Sequence, residues 1–421
     1  MSKKIEEFDF YPLEGQPYFN NDRFWVSPMN FLEENISNYP DKIQIHDSTL
    51  RDGEQTPRVS YLKSERIRIA EQLNKLGVDR IEIGMPIISE DLRDAIKDVM
   101  RRDFTSKVVS FARAHPDDVR LTIECGVRDI IVEHCVNPYL CKYAYNLTPD
   151  DLLKRVSTHV DMAVKAGLWV NFMGWDFTRT PLEFSRKIYQ AAVDAGANAL
   201  TVVDTFAVAT PKAIGFIFRK MSEWFPGVQL EFHVHNDFGT GMGAAMAAVE
   251  NGATVLHTAM NALGERTGNL ATEEVATTFE LLLGGRTNVN LELLNETAEL
   301  ISDITGIYPN VNKTVFGKNC FGIESGVVSH YAEGMQKKGI NPAAIPYLPH
   351  VVGREAHDYF IGYLSGRLTV DHYLEKYGLN ATNEQREAVL EAVKAECLVR
   401  KALLPEASFV KLAKCVLEEK R

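Results

Sequence analysis

The segment 229–243, QLEFHVHNDFGTGMG, sets His233 and His235 two residues apart in an apolar run of period two. Such a run reads as a β-strand, whose alternate side chains share a face. Glu231, His233 and His235 therefore line one side, and Leu230, Phe232 and Val234 the other. Two imidazoles about 7 Å apart along a strand can close on one divalent cation, and mixed nitrogen–oxygen sites suit zinc or manganese. The competing reading is a pair of hydrogen-bonded core histidines. The Asn236-Asp237 pair and the glycines at 239, 241 and 243 that follow favour the ligand reading. A second stretch, 43–55 (IQIHDSTLRDGEQ), runs from a short strand into an Asp-Gly turn, where Asp52 can supply a third, hard-oxygen ligand. A third, 261–269 (NALGERTGN), also follows an apolar run, 255–260.

Elements that could bring these stretches together recur along the chain. Strand-like runs occupy 43–47, 80–84, 107–112, 129–134, 169–174, 199–204, 229–235 and 255–260. Segments of helical spacing, such as 64–76 and 183–195, lie between them, and Gly77, Gly126, Gly167, Gly196 and Gly252 fall where helices should stop. Eight strand–helix units over about 250 residues predict a (β/α)₈ barrel, with an open doubly wound sheet as the alternative. Every motif sits at a strand's carboxyl end, the catalytic face of such a barrel. The run GTGMG at 239–243 lacks the G-x-G-x-x-G spacing of a dinucleotide loop.

The expected organisation is an aromatic-rich arm over 1–41, packed on something such as a partner subunit, then the barrel over 42–285, then a linker and helical C-terminal subdomain over 286–421. Amphipathic runs at 291–303, 354–364, 384–400 and 406–419 carry that last expectation. The 421 residues are 45% hydrophobic with net charge −11. No Lys/Arg run points to nucleic acid, and no apolar stretch approaches the ~18 residues of a membrane span. The charged N-terminus has no leader-like apolar core. Six cysteines without a C-x-x-C pair read as reduced and intracellular, so a cytoplasmic location is expected.

LRDGEQ, HVHNDFGTGMG and GERTGN, in this order, resemble the metal-dependent acyl-CoA Claisen-condensing synthases. That family includes isopropylmalate, homocitrate, citramalate and Re-type citrate synthases and is related to hydroxymethylglutaryl-CoA lyases. The likeness is strong over about residues 43–285. It implies that Asp52, His233 and His235 hold a divalent metal (zinc, manganese or magnesium), with Asn269 as a further ligand. It implies a 2-oxo acid as substrate, acetyl-CoA as co-substrate, and a homodimer whose C-terminal segments cover the partner's active site. Arg51 matches the residue that holds the oxo-acid oxygen and the developing enolate. Gln55, Glu82 and Thr205 match substrate-site positions, and Arg113, Arg179 and Thr180 lie at the ends of strands 3 and 5. Glu231, on the histidine face of its strand, is a candidate to orient a catalytic group. For Arg113, Arg179 and Glu231 a structural ion pair is the competing reading.

In the acid–base segment the family histidine aligns with Val328 of GIESGVVSH, so the expected acid–base residues are His330, two positions on, and Tyr347 of PYLPH. The expected function is an acyltransferase of the 2-isopropylmalate synthase type, in amino-acid biosynthesis. The Gly84-Met85-Pro86 wall suggests an alkyl-bearing oxo acid. Arg113 and His115 stand where homocitrate-type members carry a cation, and TPRVSY (56–61) leaves a Re-citrate type open. Two alternatives are a lyase running the reverse cleavage and a barrel without catalysis. The loop 261–269 lacks the cysteine that lyases carry there.

Overall fold

In the computed structural model, which describes residues 12–355 and 359–419, a closed parallel barrel forms from eight strands. They are β1 (Gln44–Asp47), β2 (Arg80–Gly84), β3 (Lys107–Arg113), β4 (Asp129–Cys135), β5 (Trp169–Trp175), β6 (Ala199–Asp204), β7 (Gln229–Val234) and β8 (Val255–Thr258). Each is paired with its sequence neighbour, and β8 closes on β1. The strands are nearly all buried and rich in Val, Ile and Phe, as a parallel sheet covered by helices requires. The helices are α1 (Lys63–Leu76), α2 (Glu90–Val99), α3 (Pro116–Glu124), α4 (Pro138–Tyr145), α5 (Pro149–Lys165), α6 (Leu182–Asp194), α7 (Pro211–Trp224) and α8 (Gly241–Glu250). Local chemistry starts them. Ser89, Asn137, Thr148 and Thr210 each accept a backbone N–H from the first turn, and Pro116, Pro138, Pro149 and Pro211 open helices where a missing N–H costs nothing. The five glycines expected to stop helices all have positive φ. Helix α4 is an insertion between β4 and α5 that periodicity did not reveal.

The barrel interior has two chemical halves. Val109, Phe111, Ile131, Met173 and Val203, from β3 to β6, form an apolar cluster. On the other side the register aligns His233 with His257 and His257 with His46 across β7, β8 and β1. The rings of His46 and His257 stack 4.1 Å apart. Two buried carboxylates hold them: Nε2 of His257 is 2.8 Å from Glu231 Oε2, and Nε2 of His46 is 3.2 Å from Glu82 Oε2. Glu231 also accepts from Arg80 Nη1 and Asn171 Nδ2, each at 2.6 Å. Buried carboxylates survive only when compensated in this way.

The chain divides into two compact units, 29–309 with the barrel, and the described residues up to Pro28 together with those from Asn310 onward. In the second unit the N-terminal hairpin, Phe19–Asn20 with Phe24–Trp25, adds to the 346–348 segment through Trp25 N to Pro346 O (3.0 Å) and Leu348 N to Arg23 O (2.8 Å). The aromatics of 18–25 therefore pack on this chain's own C-terminal unit. Helices Arg367–Lys376, Asn383–Arg400 and Glu406–Glu419 bury Val370, Val389, Val393 and Phe409. The amphipathic run expected at 354–364 is not helical over its described residues. Tyr359 makes an isolated bridge to Ile323 and the next helix begins at Arg367; residues 356–358 lie outside the described set.

Burial, and then repulsion from His46, hold His257 down to about 4 from an ordinary 6.5, so the folded chain keeps it neutral. That contribution to stability is complete above pH 6.5 and is lost as pH falls from 6.5 towards 4. In chelator-treated protein His257 by itself should account for a loss of up to about 3 kcal/mol across that window, read in the thermal midpoint. His257→Gln should flatten the slope there, and an equally steep slope in that variant would assign the acid sensitivity elsewhere.

Candidate metal centre

Three buried side chains from distant parts of the sequence converge at the carboxyl end of the barrel. Asp52 follows β1; His233 lies on β7, and His235 just past its end. Asp52 Oδ2 lies 3.4 Å from His233 Nε2 and 3.8 Å from His235 Nε2. One ligand atom from each lies within 4.8 Å of the other two. The residues fit a cation on an independent observation. Asp52 Oδ1 and Asn269 Oδ1 are buried without a hydrogen-bond partner, a cost that a cation would remove. Burial, reinforced by repulsion from His235 and Arg51, pushes His233 well below its ordinary value. Burial also lowers His235, against the pull of Asp52. Both imidazoles are therefore neutral near pH 7, the form that coordinates metal.

Asn269 is placed by its loop. The end of β7 and the 261–269 loop are zipped by Asn236 N to Gly268 O (3.1 Å), Leu270 N to Val234 O (3.2 Å) and a bridge between His235 and Asn269. Asn269 Nδ2 donates to Leu263 O at 2.8 Å, which fixes the amide and leaves Oδ1 as the spare acceptor. The loop is possible only with glycine at two positions. A Cβ on Gly268 would lie 1.8 Å from Ala262 O and one on Gly264 2.3 Å from Asn269 Nδ2, and both have positive φ.

Arg51 joins this cluster to the polar half of the barrel. Its Nε donates to Glu82 Oε1 at 2.6 Å, its Nη1 to Asp52 Oδ2 at 2.9 Å and to Gln55 Oε1 at 3.4 Å. Its guanidinium lies 4.4 Å over the Phe111 ring. Burial works against the charge, but Glu82 and Asp52 outweigh it and hold Arg51 protonated. Burial is likewise outweighed at Glu82, which Arg51 and His46 bring down to about 2. On β4, burial pushes the carboxyl of Glu133 up to about 7, against the opposing charges of His134 and Arg51.

The remaining expected residues divide. Arg179, Thr180 and Thr205 gather on one turn. Arg179 Nε donates to Asp176 Oδ1 at 2.7 Å, Thr180 Oγ1 to Asp176 O at 2.8 Å, and Asp176 N to Thr205 Oγ1 at 2.8 Å. Arg113 is bidentate to Asp118 of its own following helix, at 2.8 and 3.0 Å. Glu231 is engaged by Arg80, Asn171 and His257 in the barrel interior. These three thus make the ion pairs that were the competing reading. His330 and Tyr347 belong to the second unit. His330 is exposed on the helix Gly326–Gln336, about 200° around the axis from Val328, and the Tyr347 ring packs on Phe321 at 5.5 Å. Sequence reasoning missed His46 and His257. Both stood in quoted runs, IQIHD and VLHTAM; His257 shares strand register with His233, and His46 with His257.

Fold and cluster together describe a (β/α)₈ barrel with two histidines and one carboxylate converging at its strand carboxyl ends. A family model described as HMGL-like matches residues 42–301. The chain is 36% identical over 364 residues to a probable 2-isopropylmalate synthase of Ignicoccus hospitalis, covering 86% of this chain and 90% of that protein. It is 34% identical to a homocitrate synthase of Methanopyrus kandleri, covering 85% and 88%. It is 33% identical to an (R)-citramalate synthase of Methanocaldococcus jannaschii, covering 84% and 70%. Among solved structures, the Bacillus subtilis HMG-CoA lyase shares the fold, with a TM-score of 0.59 and 23% identity over 64% of this chain and 95% of that one. The chain belongs to the HMGL-like family.

Adding zinc or manganese to chelator-treated protein should raise its thermal midpoint, since a cation at a hundred times its Kd adds about 2.7 kcal/mol. Asp52→Asn or His233→Gln should remove most of that rise, and elemental analysis should find one metal per chain in the parent protein and little in either variant. An undiminished rise in both variants would place the cation elsewhere.

Proposed function

We propose that this chain joins the acetyl group of acetyl-CoA to a 2-oxo acid and releases CoA. The observation that carries this reading is the buried Asp52–His233–His235 cluster with the Arg51 guanidinium 2.9 Å from its carboxylate. Relatives named as isopropylmalate, homocitrate and citramalate synthases support it. Asp52, His233, His235 and Asn269 Oδ1 are the groups that would hold a divalent cation. When bound, such a cation supplies Lewis-acid polarisation of the oxo acid's carbonyl.

The chain's own residues do the rest. Arg51, locked by Glu82 and kept charged, presents a fixed positive field where negative charge develops on oxygen, so no reorganisation is needed at the moment of reaction. Its fork geometry suits a carboxylate or enolate oxygen better than a lysine could. We assign the proton transfers, removal from the acetyl methyl and return to the new hydroxyl, to His330, the imidazole nearest to the family histidine position that Val328 occupies, and to Tyr347. The thioester is then hydrolysed. We further assign an oxo acid of the isopropylmalate or citramalate type, a homodimer in which the C-terminal segment covers the partner's site, and a cytoplasmic role in amino-acid biosynthesis.

Purified protein with acetyl-CoA, divalent metal and a panel of 2-oxo acids, read by free thiol, should show release with at least one of them. Arg51→Lys should lower that rate by about 10²–10³, and Asp52→Asn by at least as much, with circular dichroism unchanged. Full turnover in Asp52→Asn would remove the proposal.

A further inference from the structure

At the end of β4, three residues that the condensation does not use share one corner. Cys135 is the last residue of the strand, and Cys141 lies six positions on, in α4. The Cys141 thiol donates to the Cys135 carbonyl oxygen at 3.3 Å, and the Cys135 thiol to Asn137 O at 3.9 Å. His134 Nδ1 lies 2.7 Å from that same Cys135 carbonyl. One main-chain oxygen thus gathers an imidazole and the Cys141 sulfur beside Cys135. The corner is not sealed. Cys135 and His134 line a cavity of about 540 Å³ with Arg113, Glu133, Arg155 and Trp175, while Cys141 is fully buried behind it. Helix α4 is pinned at its start by Asn137, which caps two backbone N–H groups and donates to Asp176 at 2.7 Å.

We propose that Cys135 and Cys141 form a reversible dithiol–disulfide couple, oxidised by a small hydroperoxide that enters this cavity. A thiolate is the reactive form of cysteine, and a neighbouring imidazole favours it. The neighbouring Cys135 thiol, then His134, bring Cys141 down to about 5 against the effect of burial, while Cys141 and burial push Cys135 up. The resting pair is therefore a Cys141 thiolate beside a Cys135 thiol, and passing that proton to Cys141 frees the cavity-facing sulfur.

Cys135 Sγ attacks the terminal peroxide oxygen. The O–O bond breaks, a sulfenic S–OH forms, and the alkoxide takes the pair's one thiol proton from Cys141 and leaves as an alcohol. The Cys141 thiolate then attacks Cys135 Sγ. The S–S bond forms, the S–O bond breaks, and hydroxide takes a proton from solvent and leaves as water. Two electrons pass from the thiols to the peroxide, and dithiothreitol reverses the change. The other cysteines lack this arrangement. Burial raises Cys125 and Cys397 above the ordinary range, Cys320 donates to Lys313 O at 2.9 Å, and Cys415 is exposed without such a partner among the described residues.

Trypsin should release both cysteines in one peptide, residues 129–142, because Arg128 and Lys142 flank it. Native full-length protein, treated with tert-butyl hydroperoxide and alkylated before unfolding, should yield this peptide lighter by two hydrogens and without alkyl groups. Dithiothreitol should restore both thiols. The linkage should form at least about tenfold faster in native protein than in urea, and His134→Gln should slow it by a similar factor. Cys135→Ser and Cys141→Ser should block it. The proposal is overturned if the peptide keeps both thiols while Cys415 is consumed, or if native and unfolded chains oxidise at the same rate.

Discussion

A buried guanidinium ties the barrel mouth together. Arg51 lies between two carboxylates, Glu82 below and Asp52 beside it, and over the ring of Phe111. Each of these charges would be costly alone in that setting. Together they form a neutralised unit, and removing one member of such a buried pair leaves the other uncompensated, at roughly 3–5 kcal/mol. The same contact carries information from the barrel interior to the site, because Glu82 also meets His46, whose ring stacks on His257. The Asp52 carboxylate is thus oriented by a chain of contacts that runs across three strands.

The division of the interior into apolar and polar halves follows from this. Bulky apolar side chains from β3 to β6 fill one side and exclude water. On the other side Arg80 pairs with Glu231, Glu231 with His257, and Glu82 with His46. The low-dielectric surroundings keep His257 neutral and strengthen every pairing near it. Burial alone would unfold this layer. Burial with paired partners makes it rigid, the preorganisation a charge-stabilising site needs.

The same physics acts differently at the β4–α4 corner. There the groups are thiols and an imidazole rather than permanent charges, and a single carbonyl oxygen gathers the imidazole and the Cys141 sulfur. Glu133, one residue before His134, feels both corners: the charges of His134 and of Arg51 both act on its carboxyl. The wall of the cavity and the proposed reaction centre are therefore electrostatically connected.

Much of this was legible in the chain. The eight strand runs fall within about two residues of the observed strands, because parallel strands buried on both faces must be continuous apolar runs. The period of two placed His233 and His235 on one face, and the Asp-Gly turn singled out Asp52. Other features were not legible. Periodicity says nothing of register between strands, so the stacking of His46 on His257 and their carboxylate partners emerged only when the barrel closed. Helix α4 carries many aromatics and only a weak amphipathic pattern, so it did not stand out. Whether Arg113, Arg179 and Glu231 were free or paired depended on partners in other elements or turns, which local spacing does not encode. The sequence by itself determined the barrel and the types of ligand, since both follow from patterns within single strands. Tertiary structure alone decided which charges are neutralised by which, because that depends on distances between residues far apart in the chain.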